Sequence, residues 1–236
     1  MIEEIVLSHL KPAEKFIYGF ADLTGLLDKV YEGFNWGISI GYKLDDNIVD
    51  QIITGPTIEY HKHYGQINLK LEDLNKNLTA DLNKHGFESI GIQPTVKNRV
   101  NDPEYLRTLT TSLSHKMVAT RAGLGWIGKT DLFISRTLGP RLRLSSILIK
   151  TPVASKNNPV SRSLCGKCSL CVDICPAKAA NGLLWDTSTK REDFFDPWKC
   201  REQCARFGKE KLGVDARICG MCVAVCPIAR KNKTKL

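Results

Sequence analysis

Cys165-x2-Cys168-x2-Cys171-x3-Cys175-Pro176 constrains this chain more than any other feature. An x2 spacing lets successive thiolates turn toward one centre. A proline directly after the last cysteine ends the loop and blocks a helix from running through it. Downstream, Cys219-x2-Cys222-x3-Cys226-Pro227 repeats the end of that pattern. Two such runs are the bacterial ligand pattern for two [4Fe–4S] clusters, in which the fourth cysteine of each run reaches to the other cluster. One cluster is therefore expected on Cys165, Cys168, Cys171 and Cys226. The second is expected on Cys175, Cys219, Cys222 and one further thiolate. A complete second run would place that thiolate at position 216, which is Ala216. The insertion between the runs offers Cys200 and Cys204. Cys200 is favoured because Phe195-Asp196-Pro197-Trp198-Lys199 reads as a turn-rich approach that brings one thiolate back, leaving Cys204 spare. Zinc is the competing reading, but zinc sites are built from cysteine pairs, not from a triplet followed by Cys-Pro.

The chain has 236 residues, enough for one large domain or two small ones. Its beginning carries Glu3 and Glu4 and no long apolar run, so it does not read as a signal peptide. Disulfides, which need an oxidising compartment, are correspondingly disfavoured. No stretch approaches the roughly 18 apolar residues of a membrane span, so no membrane association is expected. The expectation is a cytoplasmic protein in a reducing, low-oxygen setting. The formal net charge is +9. A solvated surface with a basic tail, Arg230–Lys235, accounts for it, and a docking face for an acidic protein is the sharper reading. Basic runs interleaved with aromatics, which would suggest single-stranded nucleic acid, are absent.

Residues 1–150 read as an α/β (α+β) domain and 151–236 as a cluster domain. Between them lies Thr151–Ser163, rich in Pro, Ser and Asn. Phe34–Tyr42 alternates as a strand does. Thr57 can cap a long helix whose apolar stripe is Ile58, Tyr64, Ile67, Leu71, Leu74, Leu78 and Leu82, with Gly86 as its stop. Phe87–Gln93, Leu132–Ser135 and Leu142–Ile149 read as further strands. Ser112 or Ser114 opens another helix that ends at Gly123. His61 and His63 stand two apart on the long helix, so they face different sides and make a poor metal pair.

A second motif is Arg121-Ala122-Gly123-Leu124-Gly125-Trp126-Ile127-Gly128-Lys129. Its glycines permit close approach of backbone to a ligand. It matches neither the Walker spacing nor GxGxxG. A tight helix-to-strand turn with Trp126 in the core and a ligand-binding loop are both open on the residues alone.

Taken together, "RAGLGWIGKTDLFIS", "CGKCSLCVDICP" and "CGMCVAVCP" resemble the epoxyqueuosine reductase family, related to corrinoid-dependent reductive dehalogenases. The resemblance runs from about Trp36 to Arg230. It implies a nitroreductase-like, cobalamin-binding domain followed by a bacterial ferredoxin-like domain with two [4Fe–4S] clusters. It further implies that Gly123, Leu124, Gly125, Trp126, Ile127, Gly128 and Lys129 lie near the cobalamin, and it supports Cys200 as the eighth cluster ligand. The implied electron donor is a reduced ferredoxin or flavodoxin-type protein. An acidic corrinoid protein is a second candidate partner.

Two departures stand out. The family carries a catalytic aspartate shortly before the Ala-Gly-Leu-Gly segment, whereas Thr108–His115 contains no carboxylate. Asp102, Glu104, Tyr105 and His115 are the nearby replacements. The family's C-terminal helical repeats, which help hold tRNA, find no counterpart after the second cysteine run. Epoxyqueuosine in tRNA is therefore not the expected substrate. An electron-transfer or reductive-activation partner of another corrinoid protein, or a plain ferredoxin-type carrier, are the alternative expectations.

Overall fold

The computed structural model describes residues 1–95 and 102–228. In chain order, α1 (Ile2–His9) leads into β1 (Phe16–Asp22), β2 (Trp36–Lys43) and α2 (Asp46–Asp50). The long α3 (Ile58–Lys84) follows, then β3 (Ser89–Ile92), α4 (Pro103–Thr108) and α5 (His115–Arg121). A small hairpin, β4 (Gly125–Ile127) and β5 (Phe133–Ser135), precedes β6 (Leu142–Ile149). The last elements are α6 (Leu170–Asp173), α7 (Arg191–Phe194), α8 (Pro197–Phe207) and α9 (Met221–Val225). Among the described residues no helix is long and apolar enough to cross a membrane.

The chain divides into two compact units whose segments interleave. One gathers 1–43, 67–124 and 143–160, the other 44–66, 125–142 and 161 onward. A linear division at 150/151 is coarser than this, because two segments from the first 150 residues group with the cysteine runs. The start of α3 counts with the second unit and its remainder with the first.

The first unit is built on a four-stranded sheet of order β1-β2-β6-β3, with β1 antiparallel to β2 and β3 antiparallel to β6. β2 alternates large and small residues, as its sequence suggests, yet both of its faces are buried. The small face admits a helix: a Cβ on Gly37 would stand 2.7 Å from Leu23 and 3.0 Å from Val118 of α5. The large face carries Ile38, Ile40 and Tyr42, and Lys70 of α3 donates to the Tyr42 hydroxyl at 3.2 Å. Helices on both faces make this a layered α/β unit. Thr57 caps α3 as expected, its Oγ1 accepting from the Tyr60 N–H at 3.1 Å. Ile67, Leu71, Leu74, Leu78 and Leu82 form the buried stripe. Ile58 does not belong to it, being 49% exposed in the first turn.

The second unit holds α2, the β4–β5 hairpin and α6 to α9. Arg141 is its buried strut, at 1% exposure. Its guanidinium donates to Asp46 Oδ1 at 3.0 Å, Asp50 Oδ1 at 2.6 Å and the Ala224 carbonyl at 3.2 Å. One side chain thus ties α2 to α9, the helix between Cys222 and Cys226. The charge is buried only because two carboxylates and a carbonyl surround it.

Candidate metal centre

Cys165 and Cys168 lie in the turn before α6, closed by a Cys168 N–H bond to the Cys165 carbonyl at 3.4 Å. Cys171 is inside α6, and Cys175 caps its end with an N–H bond to Val172 at 3.3 Å. Cys222 is inside α9 and Cys226 ends it. All nine cysteines are free thiols, so no disulfide competes for them.

The thiols fall into two groups. Cys171 is pushed up to about 11, first by burial and then by Cys165, Cys226 and Cys168. Those three are the neighbours expected of the first cluster. Cys222 is also raised, first by burial and then by Cys219, Cys200 and Cys171. Buried thiols that crowd one another disfavour ionisation, and bound iron would reverse that by coordinating them as thiolates.

The insertion reaches the second group through a helix. Asp196-Pro197 is an N-cap followed by proline at the first helical position, the signature of a helix start. The Asp196 carboxylate accepts from the Trp198 and Lys199 N–H groups, each at 3.0 Å. The expected turn-rich approach is thus the opening of α8. Cys200 and Cys204, four apart, share one face of that helix. The chain beyond α8 is seated on the strand of backbone that bears Ala216. A Cβ on Gly208 would lie 2.1 Å from the Ala216 carbonyl oxygen, so only glycine permits the approach. Cys204 is not remote from the centre: its thiol lies within hydrogen-bond reach of both Cys200 and Cys219. That contact pulls Cys219 down to about 7 and lowers Cys200, while Cys204 itself is raised.

The glycine-rich motif is the β4–β5 hairpin, and its glycines are explained by the protein's own chain. At Gly125 a Cβ would stand 2.0 Å from the Ile134 carbonyl oxygen across the hairpin. At Gly123, where φ is +72°, it would meet Asn157 at 2.4 Å. At Gly128 it would meet Ile134 at 3.0 Å and Cys165 Sγ at 3.6 Å. At these three positions the protein's own chain supplies a reason for glycine. Leu124 packs on the core cluster around Val118, while Ile127 and Lys129 are buried. Trp126, 5% exposed, donates its indole N–H to Cys165 Sγ at 3.3 Å. Gly125→Val is accordingly expected to distort the hairpin and reduce bound iron, measured anaerobically against wild type. A variant with full iron would show that the hairpin can open without disturbing the cysteines.

The candidate proton donors are already engaged. Asp102 caps α4, accepting from Glu104 N–H at 3.0 Å and Tyr105 N–H at 3.2 Å. Glu104 pairs with Arg107 at 2.7 Å. His115 Nε2–H donates to the Gln93 carbonyl at 2.9 Å, and the Ser146 hydroxyl donates to Nδ1 at 2.9 Å. Burial lowers His115 to about 4, so it is neutral near pH 7 and holds no spare proton. The unfolded chain therefore binds this proton first as pH falls. Its contribution is complete above about pH 6.5 and is lost toward pH 4, worth up to about 3 kcal/mol. Denaturant titrations between those values should show a flatter pH slope for His115→Gln. His63 has a packing role, its Nε2 accepting the Asp45 N–H at 2.9 Å.

Sequence reasoning missed Arg141, Thr130 and Asp131. Thr130 is 7% exposed, and it favours the ionised form of Cys171 and of Cys222. Asp131 acts on Cys200 through its charge. For Thr130 and Asp131 the only signal available was their place directly after the Gly-Trp-Ile-Gly-Lys stretch.

Two groups of largely half-buried free thiols, each fed by a short helix and a turn, have the donor chemistry of thiolate-held iron–sulfur clusters. The cysteines and the turns that present them are those of an iron–sulfur cluster site. Residues 164–229 match the family model described as a 4Fe-4S double cluster binding domain. Beyond that domain, the resemblance to epoxyqueuosine reductases is borne out. The epoxyqueuosine reductase of Synechococcus sp. (strain CC9605) is 35% identical over 126 residues, 50% of this chain and 36% of that protein. The chain spans about a third of the length of the curated relatives it matches. A reductive dehalogenase, described as suggesting a mechanism for B12-dependent dehalogenation, superposes with a TM-score of 0.64 at 14% identity. That match covers 93% of this chain and 31% of the dehalogenase. The epoxyqueuosine reductase of Bacillus subtilis, described with its aspartate-bearing catalytic loop swung out of the active site, gives 0.57 at 16% identity. It covers 98% of this chain and 66% of that one.

Proposed function

We propose that this chain is an iron–sulfur redox protein that relays single low-potential electrons through two [4Fe–4S] clusters toward a corrinoid, for reduction of a substrate other than epoxyqueuosine in tRNA. The observation that carries the reading is the sorting of the cysteines into two adjoining groups. Cys165, Cys168, Cys171 and Cys226 would hold one cluster. Cys175, Cys219, Cys222 and Cys200 would hold the other. The clusters, when bound, supply one-electron carriage at a potential set by hydrogen bonding and exposure. The protein's share is placement. Trp126 donates its indole N–H to Cys165, Arg141 fixes α9, and Gly208 seats the chain beyond α8. The donor on this reading is a reduced ferredoxin or flavodoxin-type protein. Cobalamin rests on likeness to the dehalogenase described as B12-dependent.

A second reading has its own support. An electron-transfer or reductive-activation partner of another corrinoid protein needs no proton donor, and Asp102, Glu104 and His115 are committed elsewhere. The formal charge of +9 suits docking to an acidic partner.

Anaerobic purification with added cobalamin, followed by iron and sulfide analysis and a visible spectrum, tests both. The leading reading expects about eight iron atoms per chain together with bound cobalamin. Four or fewer iron atoms would reject the double-cluster assignment. Full iron without cobalamin would favour the partner role or a plain ferredoxin-type carrier.

A further inference from the structure

Trp126 is the middle residue of β4, paired across the hairpin with Ile134 of β5. The hairpin lies against a cysteine. A Cβ on Gly128 would come within 3.6 Å of Cys165 Sγ, and the Trp126 indole N–H donates to the same sulfur at 3.3 Å. The backbone of Cys165 is tied separately, its N–H donating to Ser163 Oγ at 3.4 Å. The sulfur is thus addressed by a side chain from a strand, and the backbone by its own loop.

The choice of acceptor is informative. Trp126 is 5% exposed, and a buried indole N–H needs a partner. Its partner is a cysteine sulfur 39 residues further along the chain. The sulfur of a thiol accepts weakly. A thiolate carries charge, and hydrogen bonds to charged acceptors are shorter and roughly twice as strong as neutral ones. The indole bond is therefore better made to a Cys165 that holds iron than to a free thiol. It strengthens again when the cluster gains an electron, because the added negative charge spreads onto the ligand sulfurs. An interaction that is stronger in the reduced state raises the reduction potential.

We propose that the Trp126 indole N–H is a tuning donor that raises the reduction potential of the cluster held by Cys165 and leaves that of the other cluster unchanged. The inference rests on the double-cluster reading. Trp126 is a positioning residue: it acts through Cys165 Sγ and touches no substrate. The step it tunes is the transfer of one electron from an external reductant to the cluster. The indole keeps its proton throughout, and no covalent bond forms or breaks.

Two replacements separate the hydrogen bond from the packing. Trp126→Phe deletes the donor together with part of the ring. Site-specific replacement of Trp126 by benzothienylalanine exchanges the N–H for sulfur and keeps the bicyclic shape. The test is an anaerobic redox titration with dithionite, followed by electron paramagnetic resonance, with iron measured on each sample. Without the N–H, one of the two reduction steps is expected to shift negative by about tenfold in the reduced-to-oxidised ratio, about 59 mV for one electron. The other step should not move. Trp126→Phe should shift the same step in the same direction. Unshifted steps in the benzothienylalanine protein with full iron would overturn the inference, and so would equal shifts of both. Loss of iron from the benzothienylalanine protein would overturn it as well, since the N–H would then serve to retain the cluster and not to tune it. Wild-type iron of four atoms or fewer would reject the double-cluster reading. The one remaining step would then decide the inference, overturning it if benzothienylalanine leaves that step in place.

Discussion

Cys200→Ser is expected to lose about half of about eight iron atoms per chain, while Cys204→Ser keeps them all. Both cysteines share a face of α8, and both lie at the second group. Their surroundings differ. Cys200 acts on Cys222 directly, and it accepts from the Cys204 thiol. Cys204 stands in contact with both Cys200 and Cys219, with one S–H proton for the two of them. Cys200 bears on both Cys219 and Cys222, which makes it the better-placed fourth thiolate and leaves Cys204 spare. The double variant should hold no less iron than Cys200→Ser alone. Full iron in Cys200→Ser combined with loss in the double variant would show that Cys204 takes over as ligand. Loss in Cys204→Ser alone would reverse the assignment.

Turnover of epoxyqueuosine in tRNA is expected to fall roughly 10²–10⁴-fold below that of a full-length relative, the usual worth of general acid catalysis. The stretch Thr108–His115 lacks a carboxylate where the resembling family carries its aspartate. The structure removes the nearest replacements as well. Asp102 is consumed by the cap of α4, and Glu104 by Arg107. His115 would have to give up its Nε2 proton from a neutral ring locked between a carbonyl and a hydroxyl. Steady-state assays with cobalamin and a strong reductant present would decide it. A rate near that of the relative would point to Tyr105, to be tested as Tyr105→Phe.

The cluster site was legible because cysteine spacing is a geometric statement: x2 steps and Cys-Pro endings fold only a few ways. The long helix was legible through Leu71, Leu74, Leu78 and Leu82, whose stripe is local. Reading failed where one residue pattern serves two structures. Asp196-Pro197 can start a turn or a helix, and only the partners of the Asp196 carboxylate decide. Glycines at 123, 125 and 128 suit a ligand or a neighbouring segment, and the neighbour is either far along the chain, as Asn157 is from Gly123, or across a hairpin, as Ile134 is from Gly125. α1 and β1 escaped notice because neither shows a clean period. The candidate donors Asp102, Glu104 and Tyr105 were found by type, but a residue's type does not say what already occupies it. The basic tail beyond 228 and the segment 96–101 lie outside the described residues.

The interleaving of the two units has a bearing on biosynthesis. Segments 44–66 and 125–142 are translated before the first cysteine of the chain, Cys165, exists. They emerge as the scaffold of a centre whose ligands have yet to be made. On the proposed ligand set, the first cluster would lack its fourth thiolate until Cys226 follows. Iron delivery to this chain is therefore a late event of maturation, and a gene fragment starting at codon 151 would encode ligands deprived of Trp126, Thr130 and Arg141.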